Sequence, residues 1–136
     1  MTEHRFVQDV ADALGCDPRR AESVIFAVFQ ELSHRLTPSE AADVGAQLPT
    51  GLKRLWVAEE RPNRPVQKIH RAEFIGRVRR RAVLPDDEEA ERSVRAVFHA
   101  LQRLLGSTSG REGEAWDIFS QLSKDLKQLW LDAARG

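Results

Sequence analysis

Apolar residues recur along the chain at steps of three and four, the spacing that lines one face of an α-helix. Phe6, Val10, Ala13 and Leu14 mark a short first helix whose other face carries Asp9 and Asp12. Ile25, Val28, Phe29, Leu32 and Leu36 form the stripe of a longer second helix, expected from Pro18 to about Leu36. Asp17 supplies a capping acceptor there, and Pro18 suits the first helical position, where a missing N–H costs nothing. Thr37-Pro38-Ser39-Glu40 joins a hydroxyl cap, a first-turn proline and an acid three residues on, so a third helix starts at Pro38. Pro49 must end or kink that helix, because its ring removes a donor and clashes with the preceding turn.

A fourth helix is expected from Thr50 to about Glu59. The following Glu60-Arg61-Pro62-Asn63-Arg64-Pro65-Val66 has two prolines and no apolar period, the character of a linker. Four further helices are expected near Arg71 to Val83, Asp87 to Leu105, Glu112 to Leu122 and Lys124 to Ala134, with Ser109-Gly110-Arg111-Glu112 as a second capping-box pattern. Strand signals are absent.

The order of blocks repeats. Gln47-Leu48-Pro49-Thr50-Gly51-Leu52-Lys53-Arg54-Leu55-Trp56 aligns without gaps on Gln121-Leu122-Ser123-Lys124-Asp125-Leu126-Lys127-Gln128-Leu129-Trp130, with six of ten pairs identical. Ala27-Val28-Phe29 matches Ala96-Val97-Phe98 at an offset of 69, and Phe6 and Val10 match Phe74 and Val78 at an offset of 68. The expected architecture is therefore all-α: about eight helices in two tandem four-helix repeats, packed with pseudo-twofold symmetry. One domain over 1–136 divides into repeat one at about 3–59, a linker at about 60–69 and repeat two at about 70–134. Units of this size bury too little surface to be more than marginal alone, so the halves should share a core. Its signature residues are Val28, Phe29, Leu48, Leu52, Leu55 and Trp56 with Val97, Phe98, Leu122, Leu126, Leu129 and Trp130.

The tandem Ala-Val-Phe and Gln-Leu blocks, each Gln-Leu followed by Leu-Lys-x-Leu-Trp, resemble the bacterial family called domain of unknown function 2267 (DUF2267) from about Phe6 to Trp130. Ser123 stands where the first block has Pro49, and Glu60-Arg61-Pro62 where the family often has Trp-Arg-Pro. The resemblance implies a duplicated all-helical bacterial domain and brings with it no catalytic residue or ligand.

Composition narrows the function classes. Hydrophobic residues make up 41% and charged residues 31% of 136, which excludes a low-complexity or disordered chain. Lys plus Arg and Asp plus Glu both number 21, so no global basic field draws the protein to nucleic acid or anionic lipid. The single Cys16 excludes an internal disulfide, and the start lacks an apolar secretory run, so a bacterial-type cytoplasm is expected. No stretch approaches the roughly 18 apolar residues of a membrane span.

Chemistry is sparse. Gly106-Ser107-Thr108-Ser109-Gly110 follows a helix and lacks the lysine of a phosphate loop. His4, His34, His70, His99 and Cys16 are too scattered for a zinc pattern, so neither metal nor cofactor is expected. Cys16 precedes a helix N-terminus, where a nucleophilic thiolate would be favoured, but it aligns with Leu84 and so reads as an apolar plug. His99 aligns with Gln30, which speaks against a general base. Trp56 and Trp130 read as core, whereas Trp116 aligns with Ala42 and is an extra indole.

The sharpest charge feature runs from Arg61 to Arg81, followed by Asp86, Asp87, Glu88, Glu89 and Glu91. On the helix from Arg71, the spacing directs Arg77, Arg79 and Arg80 away from the apolar arc and puts Arg81 at its edge. They read as a solvated face, with polyanion or partner contact as the functional alternative; the aligned positions are Asp9, Ala11, Asp12 and Ala13. With no catalytic residue in view, the leading expectation is a non-enzymatic regulatory or adaptor module that binds a protein partner, or itself, through a face made by both halves. The alternatives are nucleic-acid binding through Arg77, Arg79, Arg80 and Arg81, and a small-molecule or enzyme site between the repeats.

Overall fold

The structure is a computed structural model and describes residues 3–56, 66, 68–106 and 113–135. Among them lie α1 (Glu3–Leu14), α2 (Pro18–Ser33), α3 (Pro38–Gln47), α4 (Thr50–Lys53), α5 (Arg71–Ala82), α6 (Asp87–Leu105), α7 (Gly113–Gln121) and α8 (Lys124–Ala134), with no strand. The fold is all-α.

Local chemistry explains three of the starts. Asp17 accepts the Arg20 N–H at 2.8 Å and opens α2; Asp86 accepts the Glu89 N–H at 2.8 Å and opens α6. Thr37 Oγ1 accepts the Glu40 N–H at 3.1 Å and opens α3. Pro49 holds Leu48 in the extended region, and α3 stops at Gln47. The cap of α5 comes from the far end of the chain, where the Asp125 carboxylate on α8 accepts the Arg71 N–H at 3.0 Å. The capping-box pattern at Ser109 to Glu112, most of the Gly106 to Gly110 loop and most of the linker lie outside the described residues.

Two helices are shorter than their patterns predict. α2 ends at Ser33, and Leu36 reaches the core from the turn beyond it. α4 ends at Lys53 instead of continuing to Glu59. Leu55 and Trp56 follow in a turn and are both buried, with Trp56 Nε1 donating to the Ala41 carbonyl at 2.8 Å. The core takes these side chains from a tight turn, a demand that the apolar spacing alone does not reveal.

The helices cross between halves. α1 packs on both α2 and α6, α5 packs on both α6 and α2, and α3 meets α7. All twelve signature residues are buried in one cluster. Three aromatic rings run through each half: Phe6 to Phe29 to Trp56 at centroid spacings of 5.9 and 5.3 Å, and Phe74 to Phe98 to Trp130 at 6.0 and 4.9 Å. The tilted and edge-on geometries suit the aromatic quadrupole.

The two tryptophans differ in polar company. Among the described residues, Trp130 Nε1 is buried without a hydrogen-bond partner, whereas Trp56 has Ala41. Trp56 also presses on Gly45, where an added Cβ would lie 2.9 Å from Cδ1; the aligned residue is Phe119. Replacing each indole by phenylalanine separates packing from hydrogen bonding. Trp56→Phe should cost about 1 kcal/mol more than Trp130→Phe, the net worth of one such bond, as read from denaturant midpoints. Equal costs would contradict this difference.

α1 and α5 end alike. The Cys16 N–H reaches the Ala11 carbonyl at 3.1 Å and the Leu84 N–H reaches the Arg79 carbonyl at 2.9 Å, closing each helix over a left-handed residue. In α1 that residue is Gly15, φ +65; in α5 it is Val83, φ +53 and 80% exposed. A β-branched side chain in this region costs about 1–2 kcal/mol, of which glycine returns part through unfolded-state entropy. Val83→Gly should therefore raise stability by about 1 kcal/mol in urea unfolding, and a lowered midpoint would contradict the strain.

Candidate functional site

α2 turns a mostly apolar face to α5, yet Glu31 in its last turn and Arg35 just beyond its end replace the apolar pattern. Their side chains are only 2% and 1% exposed, with Glu31 Oε1 3.6 Å from an Arg35 guanidinium nitrogen. Burying such a pair costs several kcal/mol per ion before attraction repays it. α5 then brings two more guanidiniums to the same carboxylate. Arg81 Nε donates to Glu31 Oε2 at 2.5 Å, and Arg77 lies 4.0 Å from Oε1 while also donating to Glu73 at 2.9 Å. Residues 77 and 81 are one helical turn apart, so both project toward the seam.

Above this cluster lies an open basin of about 330 Å³ lined by Glu31, Glu73, Arg77, Arg80 and Arg81. Arg80 is exposed and has no ion pair among the described residues. Four guanidiniums, from Arg35, Arg77, Arg80 and Arg81, thus face two carboxylates, from Glu31 and Glu73. Burial pulls the Arg35 pKa down to about 10, opposed by Glu31 and reinforced by the nearby charges of Arg77 and Arg81. Glu31 Oε1 is buried without a hydrogen bond.

The arginine cluster is therefore not a uniformly solvated face. Arg77 and Arg81 turn into the α2–α5 seam, and Arg79 reaches back to Asp87 at 3.5 Å. Sequence reasoning missed Glu31 and Arg35. The signal was present in the alignment of the halves, where Ala100 and Leu104 stand at those positions. The other cross-half seam, between α1 and α6, accordingly has Ala13 and Ala100 lining its groove, with Asp9, Arg95 and His99 at the edges. Its i,i+4 pair is Arg5–Asp9 at 3.1 Å, the charge reversal of Glu73–Arg77, and Arg103 of α6 joins Asp9 across the halves at 3.4 Å.

The remaining candidates have structural surroundings. Cys16 is half-buried against the core, and burial, then the Asp17 charge, pushes its thiol pKa up, so the helix N-terminus does not activate it. His99 Nδ1 lies 2.9 Å from the Ala133 carbonyl at the end of α8. His4 and His70 are exposed and His34 is half-buried at the end of α2. Among the described residues no group of three His, Cys, Asp or Glu side chains is placed to hold a metal. Trp116 is half-buried, its ring 5.4 Å from that of Phe119.

Removing the central charge tests this arrangement. Glu31→Gln should destabilise by about 3 kcal/mol, because three guanidiniums then face no buried carboxylate. The double change Glu31→Ala with Arg35→Leu, which copies the aligned residues of the other half, should recover a large part of that loss. Urea unfolding measures both, and a double variant less stable than the single one would contradict the account.

A family model described as "Uncharacterized conserved protein (DUF2267)" matches residues 3–129. No curated protein matches the chain.

Proposed function

The chain belongs to the DUF2267 family, and from that premise we propose that it is a non-enzymatic helical adaptor that binds a protein partner through a face to which both halves contribute. The observation that carries the reading is the α2–α5 basin. Its floor comes from the first half and its guanidinium rim from the second, and it sits over a buried ionic cluster, whereas the Arg5–Asp9–Arg103 set of the other seam lies nearer the surface. A charged cluster adds little stability over an apolar seam, so its retention on one side favours recognition.

The same reading takes the halves as a doubled unit related by a pseudo-twofold, supported by the paired crossings of α1 on α6 and α2 on α5. It places the protein in the cytoplasm, in keeping with one cysteine; among the described residues no helix is long and apolar enough to cross a membrane. Nucleic-acid binding is the weaker reading. A duplex or strand needs a continuous track of available cations, whereas Arg79 is paired with Asp87 and the surface next to it carries the exposed Asp86, Asp87 and Glu88.

The test is photo-cross-linking in the native host, with a benzophenone side chain in place of Glu73 at the basin and, as control, in place of the exposed Lys53 on α4. One recurrent protein adduct from position 73 and not from position 53 is the expected result. Adducts equal at the two positions, or nucleic acid alone at position 73, would overturn the proposal.

A further inference from the structure

We propose that the α2–α5 basin receives a single oxyanion, the carboxylate of an acidic side chain on the partner, between Arg77, Arg80 and Arg81. The inference rests on the adaptor reading and specifies the chemistry of its contact.

Charge balance is the first argument. Among the described residues Glu31 is the one buried carboxylate of the cluster, and Arg35, Arg77 and Arg81 all converge on it, while the exposed Glu73 pairs with Arg77. Arg80 adds a fourth guanidinium at the rim with no ion pair among the described residues. Like charges this close repel in a partly desolvated site, and one further anion relieves that repulsion. Guanidinium is the group for this purpose, since its planar donors match carboxylate oxygens in pairs.

Access is the second. Arg35 and Glu31 are sealed at 1% and 2% exposure, but the side chains of Arg77 and Arg81 remain 33% and 40% exposed. Arg81 is held by its hydrogen bond to Glu31 and Arg77 by its hydrogen bond to Glu73, and both line the basin. This is a preorganised arrangement, in which little side-chain freedom remains to be lost on binding.

The surroundings of the open basin, about 330 Å³ in volume, select the ligand. Beyond Arg79 the surface turns acidic, with Asp86, Asp87 and Glu88 exposed at the start of α6. A continuous polyanion laid along α5 would meet them, whereas a protein segment can place one acid in the basin and a base against α6. The aligned seam holds Asp9, Asp12 and Ala13 where Arg77, Arg80 and Arg81 stand, so the chain offers this basin once.

The experiment is an NMR titration of the full chain, following the side-chain Nε–H signals of Arg77, Arg80 and Arg81. The probes are an acetylated, amidated tetraglutamate peptide and a five-residue oligothymidylate carrying the same number of charges. The peptide should give saturable shifts at these three signals and bind more tightly than the oligonucleotide. Arg80→Ala, at an exposed position that leaves the core intact, should weaken peptide binding at least tenfold; Arg95→Ala, exposed on α6, should leave it unchanged. Equal or tighter binding of the oligonucleotide, unsaturable shifts that include Arg95, or an unaltered affinity in Arg80→Ala would each overturn the inference. A protein cross-link at position 73 without peptide binding would remove the carboxylate and keep the adaptor; loss of the cross-link would remove the adaptor itself.

Discussion

The crossing of α1 on α6 and of α5 on α2 is the interaction on which the rest of this structure depends. Among the described residues only α2 and α6 are long helices, and α4 amounts to little more than a turn. Each half alone would leave one face of α2 or α6 without a cover, and units of about 60 residues have little surplus stability with which to tolerate that. Crossing the halves turns two partial cores into one, through which both three-ring aromatic series run.

A shared core has two seams, and they are built differently. At the α1–α6 seam, small apolar side chains such as Ala13 and Ala100 leave a groove edged by polar groups. At the α2–α5 seam, the buried Glu31 stands where the other seam has Ala100 and Arg81 where it has Ala13, with the buried Arg35 and with Arg77 beside them. The apolar solution already present in the same molecule shows that packing does not demand these charges. Ion pairs in such places seldom add stability over well-packed apolar groups, and they are better attested as devices of specificity. That contrast is why the basin supports the binding proposal.

Local signals in the sequence were strong wherever a backbone group needed a nearby partner. Asp17, Thr37 and Asp86 cap helices from one position away, so their effect is written within a few residues. The cap of α5 was hidden, because Asp125 lies 54 positions from Arg71. The ends of α2 and α4 were also misjudged from periodicity. Leu36, Leu55 and Trp56 keep helical spacing, but their burial is achieved from turns whose form the core imposes.

By itself the sequence determined an all-α chain, the order of the eight helices among the described residues and the apolar residues of its core, because helical periodicity and short-range capping act within a turn or two. Only the tertiary structure decided the fate of the charges. Arg77, Arg79, Arg80 and Arg81 look equivalent on a helical wheel, yet Arg77 and Arg81 turn to Glu31, Arg79 to Asp87, and Arg80 alone remains without an ion pair among the described residues. The physical reason is that a guanidinium is satisfied by whichever carboxylate the packing of other helices brings within a few ångströms, and the chain's own spacing does not carry that distance.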